Sequence, residues 1–318
     1  MDDAEGTGET SPFHAGEQEA QERAGVRDRA ERAGGMIRDH MPEQHRDFFA
    51  QLETLFVGHV DQQGRPWASL LTGESGFIAS DDPTQLQIQA DILEGDPLRD
   101  SLQEGMDVGL LGLEFHSRRR NRMNGKLHSL RPGAFSVKVA QSFGNCPRFI
   151  QTRHLVARTG WRSGKQTRAR VIGSAQRRLI EQADTFFIAT QFSEGKGEAA
   201  EGVDVSHRGG KPGFLRIDGD AQILWPDFRG NALFNTIGNI LLNPRCGLLL
   251  VDFEGGDLLY MTGQTEVIWE GPEVEAFDAA ERLLRFTVEE LIHLEDALPV
   301  KWEFEAYSRV LEKTGSWE

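Results

Sequence analysis

Along most of the chain, apolar residues come in short runs broken by Gly, Asp and Pro, the pattern of strands joined by turns rather than of long helices. "TLFVGHV" (54–60) is the first such run, and "FLRI" (214–217) and "CGLLLVDF" (246–253) are others. Helical patterning is local. In "SPFHAGEQEAQERAGVRDRAERAGG", Ser11 stands at an N-cap, Pro12 at the first helical position and Gly34-Gly35 as a stop. Its polar composition predicts an exposed helix, with His14 a surface residue of the first turn. A short helix is expected in "PEQHRDFFAQL" and a helical insertion near "PEVEAFDAAERL". A further helix is expected from about Gly230 to Leu242, with Leu233, Ile237, Ile240 and Leu241 facing inward and Asn231, Asn235 and Asn239 recurring every four residues. Residues 1–10 are expected to be disordered. The sum is a mainly β protein with some α, of the barrel or sandwich kind rather than a doubly wound sheet.

An internal repeat divides the chain. "SGFI" (75–78) recurs as "PGFL" (212–215), "VGLLGLEF" (108–115) as "CGLLLVDF" (246–253) and "MNGKL" (123–127) as "MTGQT" (261–265), at offsets of 137, 138 and 138. Upstream, "TLFVGHV" pairs with "TFFIAT" if "SEGKGEAAEG" is an insertion; downstream, "FSVKVA" pairs with "FTVEEL". The expected division is an acidic tail and N-terminal helix (1–40), a first barrel (41–150), a basic linker (151–180), and a second barrel with a C-terminal segment (181–318).

Charge sharpens this picture. The net formal charge of −15 argues against a general binder of nucleic acid or membrane surfaces. Arg118 to Ile180 nevertheless holds sixteen Lys or Arg and no Asp or Glu, which leaves −31 on the rest of the chain. A solvated basic face, a pocket for an anionic cofactor or substrate, and a nucleic-acid surface are the three readings of that island. The two cysteines, Cys146 and Cys246, have neither metal-ligand nor disulfide-framework spacing, so no metal is expected. The acidic, polar start and the lack of an apolar run near the roughly 18 to 20 residues a bilayer needs predict a soluble cytoplasmic protein.

Three stretches carry candidate chemistry. In "DVSHRGGKPG" (204–213), Arg208 and Lys211 flank two glycines beside Ser206, whereas the repeat puts Leu71 and Glu74 at the corresponding places. That asymmetry favours an anion site in the second barrel over a plain turn. In "PDFRGNALFNTIGNILLNP", Asp227, Arg229, Asn231 and Asn235 lie before and along the expected helix, whose N-terminus attracts anions; a polar helix face is the plainer alternative. In "QSFGNCPRFIQ", Gln141, Ser142 and Asn145 offer hydrogen bonds to a flat heteroaromatic edge, or form an ordinary loop. "GWRSGKQT" (160–167) is one residue short of a phosphate-binding loop and has Gln166 where Ser or Thr belongs. No catalytic acid, base or nucleophile is assignable.

"HRDFFAQLETLFVGHVDQQGRPWASLLTG", "GLLGLEFHSRRRNRMNG", "QSFGNCPRFIQ", "GVDVSHRGGKPGFLRI" and "NALFNTIGNILLNPRCGLLLVDF" together resemble the pyridoxamine 5'-phosphate oxidase-related, FMN-binding split-barrel family. The resemblance implies two tandem six-stranded antiparallel split barrels, a covalently linked counterpart of that family's dimer, with FMN between them. Arg208 and Lys211, beside Ser206, would hold the phosphate, with Asp227, Arg229, Asn231 and Asn235 near it, and Gln141, Ser142 and Asn145 of the first barrel would approach the ring. It further implies an oxidoreductase acting on a small-molecule substrate, with a reduced nicotinamide cofactor or oxygen as partner; the alternative is a non-catalytic flavin or haem carrier. The C-terminal "AYSRVLEKTGSWE" lacks the family's substrate-holding segment, so vitamin B6 oxidation is not expected. Further self-association into a homodimer is left open.

Overall fold

The computed structural model describes residues 11–160 and 164–317; the expectations for residues 1–10 and for the centre of "GWRSGKQT" lie outside them. Three helices come first, α1 (Ala15–Arg23), α2 (Arg27–Gly34) and α3 (Glu43–Ala50). Strands β1 (Thr54–Val60), β2 (Pro66–Thr72), β3 (Ile78–Ala79) and β4 (Gln85–Gln89) follow, then helix α4 (Pro97–Ser101) and strands β5 (Asp107–Glu114), β6 (Arg119–Arg131) and β7 (Ala134–Gly144). After β8 (Thr152–Arg158), β9 (Gln166–Ala169) and helix α5 (Ser174–Gln182) come β10 (Thr185–Phe192), β11 (Gly202–Gly209), β12 (Arg216–Asp218) and β13 (Gln222–Phe228). Helix α6 (Asn235–Leu242), β14 (Arg245–Val251), β15 (Leu258–Ile268), helix α7 (Pro272–Glu275), β16 (Ala280–Leu294) and β17 (Val300–Ala306) complete the order.

Two antiparallel sheets result, ordered β2-β1-β5-β6-β7-β4-β3 and β11-β10-β14-β15-β16-β13-β12. The second order is the first shifted by nine strands, so the fold is two tandem antiparallel split barrels. Rather than six strands each, the first sheet has seven and the second eight, the eighth being β9, which pairs with β16 off the main order.

The "MNG" and "MTG" strings mark a matching irregularity. Both β6 and β15 shift register there, between Asn124 and Gly125 and between Thr262 and Gly263. A Cβ on Gly125 would stand 1.9 Å from the Lys138 carbonyl oxygen, and one on Gly263 2.0 Å from that of Thr287, so the partner backbone tolerates only glycine at this bulge. The ladders pair Gly125 with Val139 and Gly263 with Val288, which makes the offset on this last strand 149. The string match of "FSVKVA" with "FTVEEL" implies 151. A slip of two residues keeps every side chain on its face, so period-two matching could not detect it.

Three large apolar cores, with two smaller clusters beside them, divide the molecule. One fills the first barrel around Phe48, Val108 and Met123, and another fills the second around Phe186, Leu248 and Met261. The third lies between the barrels, where the equivalent Phe56 and Phe187 stack with ring centroids 3.5 Å apart and planes 14° off parallel. Each such ring contributes roughly 1.5–3 kcal/mol by leaving water, which favours a fixed relation between the halves.

The N-terminal helices differ from their sequence reading. One polar, exposed helix was expected; the chain instead breaks after α1 at Gly25, whose φ is +65°, and buries Gly16, Glu17, Ala20 and Gln21. The partner surface is α6: a Cβ on Gly16 would lie 2.2 Å from the Gly238 carbonyl oxygen, and one on Gly238 2.5 Å from the Glu17 nitrogen. His14, expected at the surface, is only 6% exposed. It caps α1 by accepting from the Gly16 N–H at Nδ1, and its Nε2 lies 2.9 Å from Asn239 Oδ1. Polar composition misled because these polar groups pair with each other. Gly238→Val is expected to lower the unfolding free energy by ~1–3 kcal/mol through overpacking, read as a lower urea midpoint with earlier protease cleavage near α1.

Two other helix expectations shrink. Alpha-helix α6 begins at Asn235 rather than near Gly230, because Ala232 and Phe234 take left-handed φ values of 72° and 65° that interrupt helical geometry. The insertion near "PEVEAFDAAERL" is helical only over Pro272–Glu275 before β16 takes over. The basic 151–180 segment is knitted in: β8 pairs with β17 and β9 with β16. Arg153 of β8 pairs with buried Asp184 at 2.5 Å.

Candidate functional site

A cavity of about 520 Å³ opens where β11 of the second barrel faces β6 of the first. Alternation along β11 turns Asp204, Ser206 and Arg208 to one side of the strand. They meet a second alternating row, Arg120, Arg122 and Asn124, on β6. Asp204 accepts hydrogen bonds of 2.8 Å from Arg122, Asn124 and Asn239. Ser206 accepts from Arg122 and, at 3.0 Å, from the Thr236 hydroxyl. The floor of the cavity is therefore built by both halves.

Arg208 and Arg282 extend this row. Asp227 lies 3.5 Å from Arg208 Nε and 3.7 Å from Arg282 Nε, at ion-pair distance but without hydrogen-bond geometry. One carboxylate is thus shared by two guanidiniums. Arg282 also pairs with Glu281 at 2.6 Å and lies over the rings of Phe234 and Trp269, while Arg23 of α1 covers Trp269 from its own side. The N-terminal helices roof the cavity through Arg23, Ala24, Val26 and Arg29.

The electrostatics of the cavity are strongly positive and favour an anion. Burial first, then the neighbouring Arg122 and Arg208, bring the Arg120 guanidinium down to about 9. Arg208 is lowered by burial despite Asp227, and Arg122 and Arg282 add to the effect. Buried N–H groups without a protein partner include Nε of Arg120, Arg122 and Arg208, and Nε and one terminal nitrogen of Arg282. An unsatisfied buried donor costs about 1–3 kcal/mol, so an oxyanion here satisfies several groups at once.

His207, 3% exposed, also lines the cavity, and neither ring nitrogen has a partner. Burial, then Arg120, Arg208 and Arg153, push it well below the ordinary histidine range, so it is neutral at pH 7. His59 is pushed down by burial to about 3. Such histidines stabilise the fold fully above the unfolded value near 6.5 and lose that contribution as pH falls through their folded values. Glu17 and Asp96, raised by burial, the latter to about 6, act in the opposite sense and lose stability as pH rises. His207→Gln is therefore expected to flatten the acid-side loss of stability between pH 6.5 and 4.5 by about one proton, ~1.4 kcal/mol per pH unit, in urea melts across pH.

Of the ten residues singled out in sequence, seven line this cavity: Asn145, Ser206, Arg208, Asp227, Arg229, Asn231 and Asn235. Asn231 lies in the loop before α6 rather than at its start, donating to Asn145 Oδ1 at 2.9 Å. Asn235 is committed to Glu17, donating at 2.5 Å. Three lie elsewhere. Lys211 is exposed in the turn after β11. Gln141 donates to the Pro12 carbonyl, and Ser142 is fully buried beside His45. Sequence reasoning missed Arg120, Arg122 and Arg282. The first two had a signal, charged residues at period two opening the basic island; Arg282 had none.

The symmetry-related place in the molecule is closed. At the repeat offsets, Leu258 stands for Arg120, Tyr260 for Arg122, Leu70 for His207 and Leu71 for Arg208, all buried. Ser69 persists as the counterpart of Ser206 but donates to Asp96 at 2.5 Å, and Tyr260 donates to the same carboxyl at 3.0 Å. Leucines and a tyrosine fill the space that arginines line on the other side.

No family model matches the sequence, and no curated protein matches it. Solved structures do. The chain is similar to HupZ of Group A Streptococcus at 16% identity over 40% of this chain and 98% of that one, with a TM-score of 0.31. A pyridoxamine 5'-phosphate oxidase-related, FMN binding protein of Nostoc punctiforme matches at 10% identity over 42% and 94%, TM-score 0.25. An FAD-binding protein of Mesorhizobium loti matches at 11% identity over 40% and 96%, TM-score 0.26. Among the described residues no group of three or more His, Cys, Asp or Glu could hold a metal, and no helix is long and apolar enough to cross a membrane.

Proposed function

We propose that this chain is an FMN-dependent oxidoreductase holding one flavin in the cavity between its two barrels. The observation that carries the reading is the buried cluster of Arg120, Arg122, Arg208 and Arg282, with N–H donors unmatched by protein acceptors. The family resemblance of the sequence strings points to the same cofactor. A volume of about 520 Å³ suits one such molecule, since ligand pockets span roughly 300–1,000 Å³.

In this reading Arg208 and Arg282 hold the phosphate, and Arg120 and Arg122 add positive potential from the first barrel. Ser206 and Thr236 offer hydroxyls, and Asn145 an unpartnered amide nitrogen. Phe234 and Trp269, fixed by Arg282, give the cavity flat apolar walls. Flavin, when bound, supplies hydride or electron transfer; the protein's part is to bind it, orient it and limit water. The electron partner is a reduced nicotinamide cofactor, a small substrate or oxygen.

The test is the absorption spectrum of the protein reconstituted with FMN, followed anaerobically on adding reduced nicotinamide cofactor or dithionite. Flavin bands bleached by the nicotinamide cofactor support the enzyme. Flavin reduced by dithionite but by no biological donor indicates a carrier, and failure to retain FMN removes both readings.

A further inference from the structure

A second depression of about 810 Å³ adjoins the first and shares Arg29, Arg120, Arg148 and Asn145 with it. Its walls carry six arginines, Arg29, Arg38, Arg118, Arg119, Arg120 and Arg148, and no aspartate or glutamate. None of the six forms an ion pair with a carboxylate among the described residues, although the chain holds 50 Asp and Glu. Several arginines elsewhere are matched: Arg65 with Asp61 and Glu290, Arg216 with Asp218 and Glu273, Arg285 with Glu266 and Glu273. Six guanidiniums without a carboxylate partner thus share one concave wall of an acidic protein.

Some of these arginines are tied to the frame. Arg118 donates to the Ile150 carbonyl at 2.9 Å, and Arg29 and Arg148 reach the carbonyls of Gly230 and Arg229 at 3.4 Å. Arg38 and Arg119 are exposed, and Arg119 lies over the Phe48 ring with no hydrogen-bond acceptor for its guanidinium. Like charges held this close repel unless a counter-charge enters, and guanidiniums pair best with phosphate and carboxylate oxygens. A single monoanion would leave most of them unmatched. Concavity and the surrounding negative charge select a small molecule over a nucleic-acid strand, which would have to lie across acidic surface.

We propose that this second depression binds the reaction partner of the flavin, a small molecule bearing at least two phosphate or carboxylate groups. The role as flavin partner rests on the FMN reading of the first cavity; the binding of a multiply charged anion does not. Shared walls would place that molecule's reactive end against the first cavity while Arg38, Arg119 and Arg148 hold its charged end.

Inorganic pyrophosphate serves as the probe, titrated calorimetrically into the FMN-loaded protein at low salt. R38A/R119A changes only residues outside the first cavity and is expected to weaken pyrophosphate binding at least tenfold while FMN content stays unchanged. R38K/R119K, which keeps the charge, should bind within a few-fold of the parent. R208L serves as the separate control, lowering FMN affinity with pyrophosphate binding retained. Equal pyrophosphate affinity in the parent and R38A/R119A, or no binding by the parent up to millimolar concentrations, overturns the proposal. Should the chain take no FMN but bind pyrophosphate through Arg38 and Arg119, the anion site stands and its role as flavin partner falls.

Discussion

Arg208→Leu should leave a folded protein that holds FMN roughly 30-fold more weakly. The side chain is only partly exposed, donates to the adjacent His207 carbonyl at 3.2 Å, has Asp227 as its only carboxylate neighbour among the described residues, and carries an unpartnered Nε in the cavity. Charge-assisted hydrogen bonds contribute about 1.5–3 kcal/mol each, and ~2 kcal/mol corresponds to about 30-fold in affinity. Folding should suffer little, because the substitution removes a guanidinium crowded by Arg122 and Arg282. Its repeat counterpart, Leu71, shows a leucine accommodated at the equivalent strand position. Lys211→Glu is the control: an exposed turn residue away from the cavity should change the FMN dissociation constant by less than about twofold. Equal losses for the two variants, measured by flavin fluorescence titration, would move the phosphate site to the turn.

Asp204→Ala carries the largest expected cost to stability. The carboxylate accepts from Arg122, Asn124 and Asn239 while 7% exposed, and through Asn239 it is linked to His14 of the N-terminal segment. Removing one member of a buried pair leaves the other charge without compensation, at a cost of about 3–5 kcal/mol. Urea unfolding should show that loss, together with freer α1 and α2. Pairing the change with Arg122→Met should recover much of it, since the orphaned charge goes too. FMN affinity should stay low in the double variant, because Arg122 also feeds the cavity's positive potential. Stability unchanged in Asp204→Ala would mean that Arg122 is hydrated in solution.

These two residues also show what the sequence could and could not convey. Repeat strings located strands, and the recurring "MNG" and "MTG" turn out in the structure to record a bulge whose backbone only glycine fits. Arg208 stood out because its repeat counterpart is apolar. Partners supplied from a distance left a weaker trace. Arg122 belongs to the other barrel, 84 residues from Ser206, and Arg282 comes from a strand whose string match was two residues out of register. The N-terminal segment was misjudged for the same reason. Glu17 and His14 look solvated by composition, yet Asn235 and Asn239 of α6, more than 200 residues on, satisfy them in the interior.

One flavin site per chain is the central claim, since Leu70, Leu71, Leu258 and Tyr260 fill the place that arginines line on the other side. Titrating FMN into the flavin-free protein, with bound flavin read by fluorescence quenching, tests it most directly. Saturation at one equivalent per chain, abolished or shifted about 30-fold by Arg208→Leu, is the predicted result. Saturation at two equivalents, or no saturable binding, would contradict it.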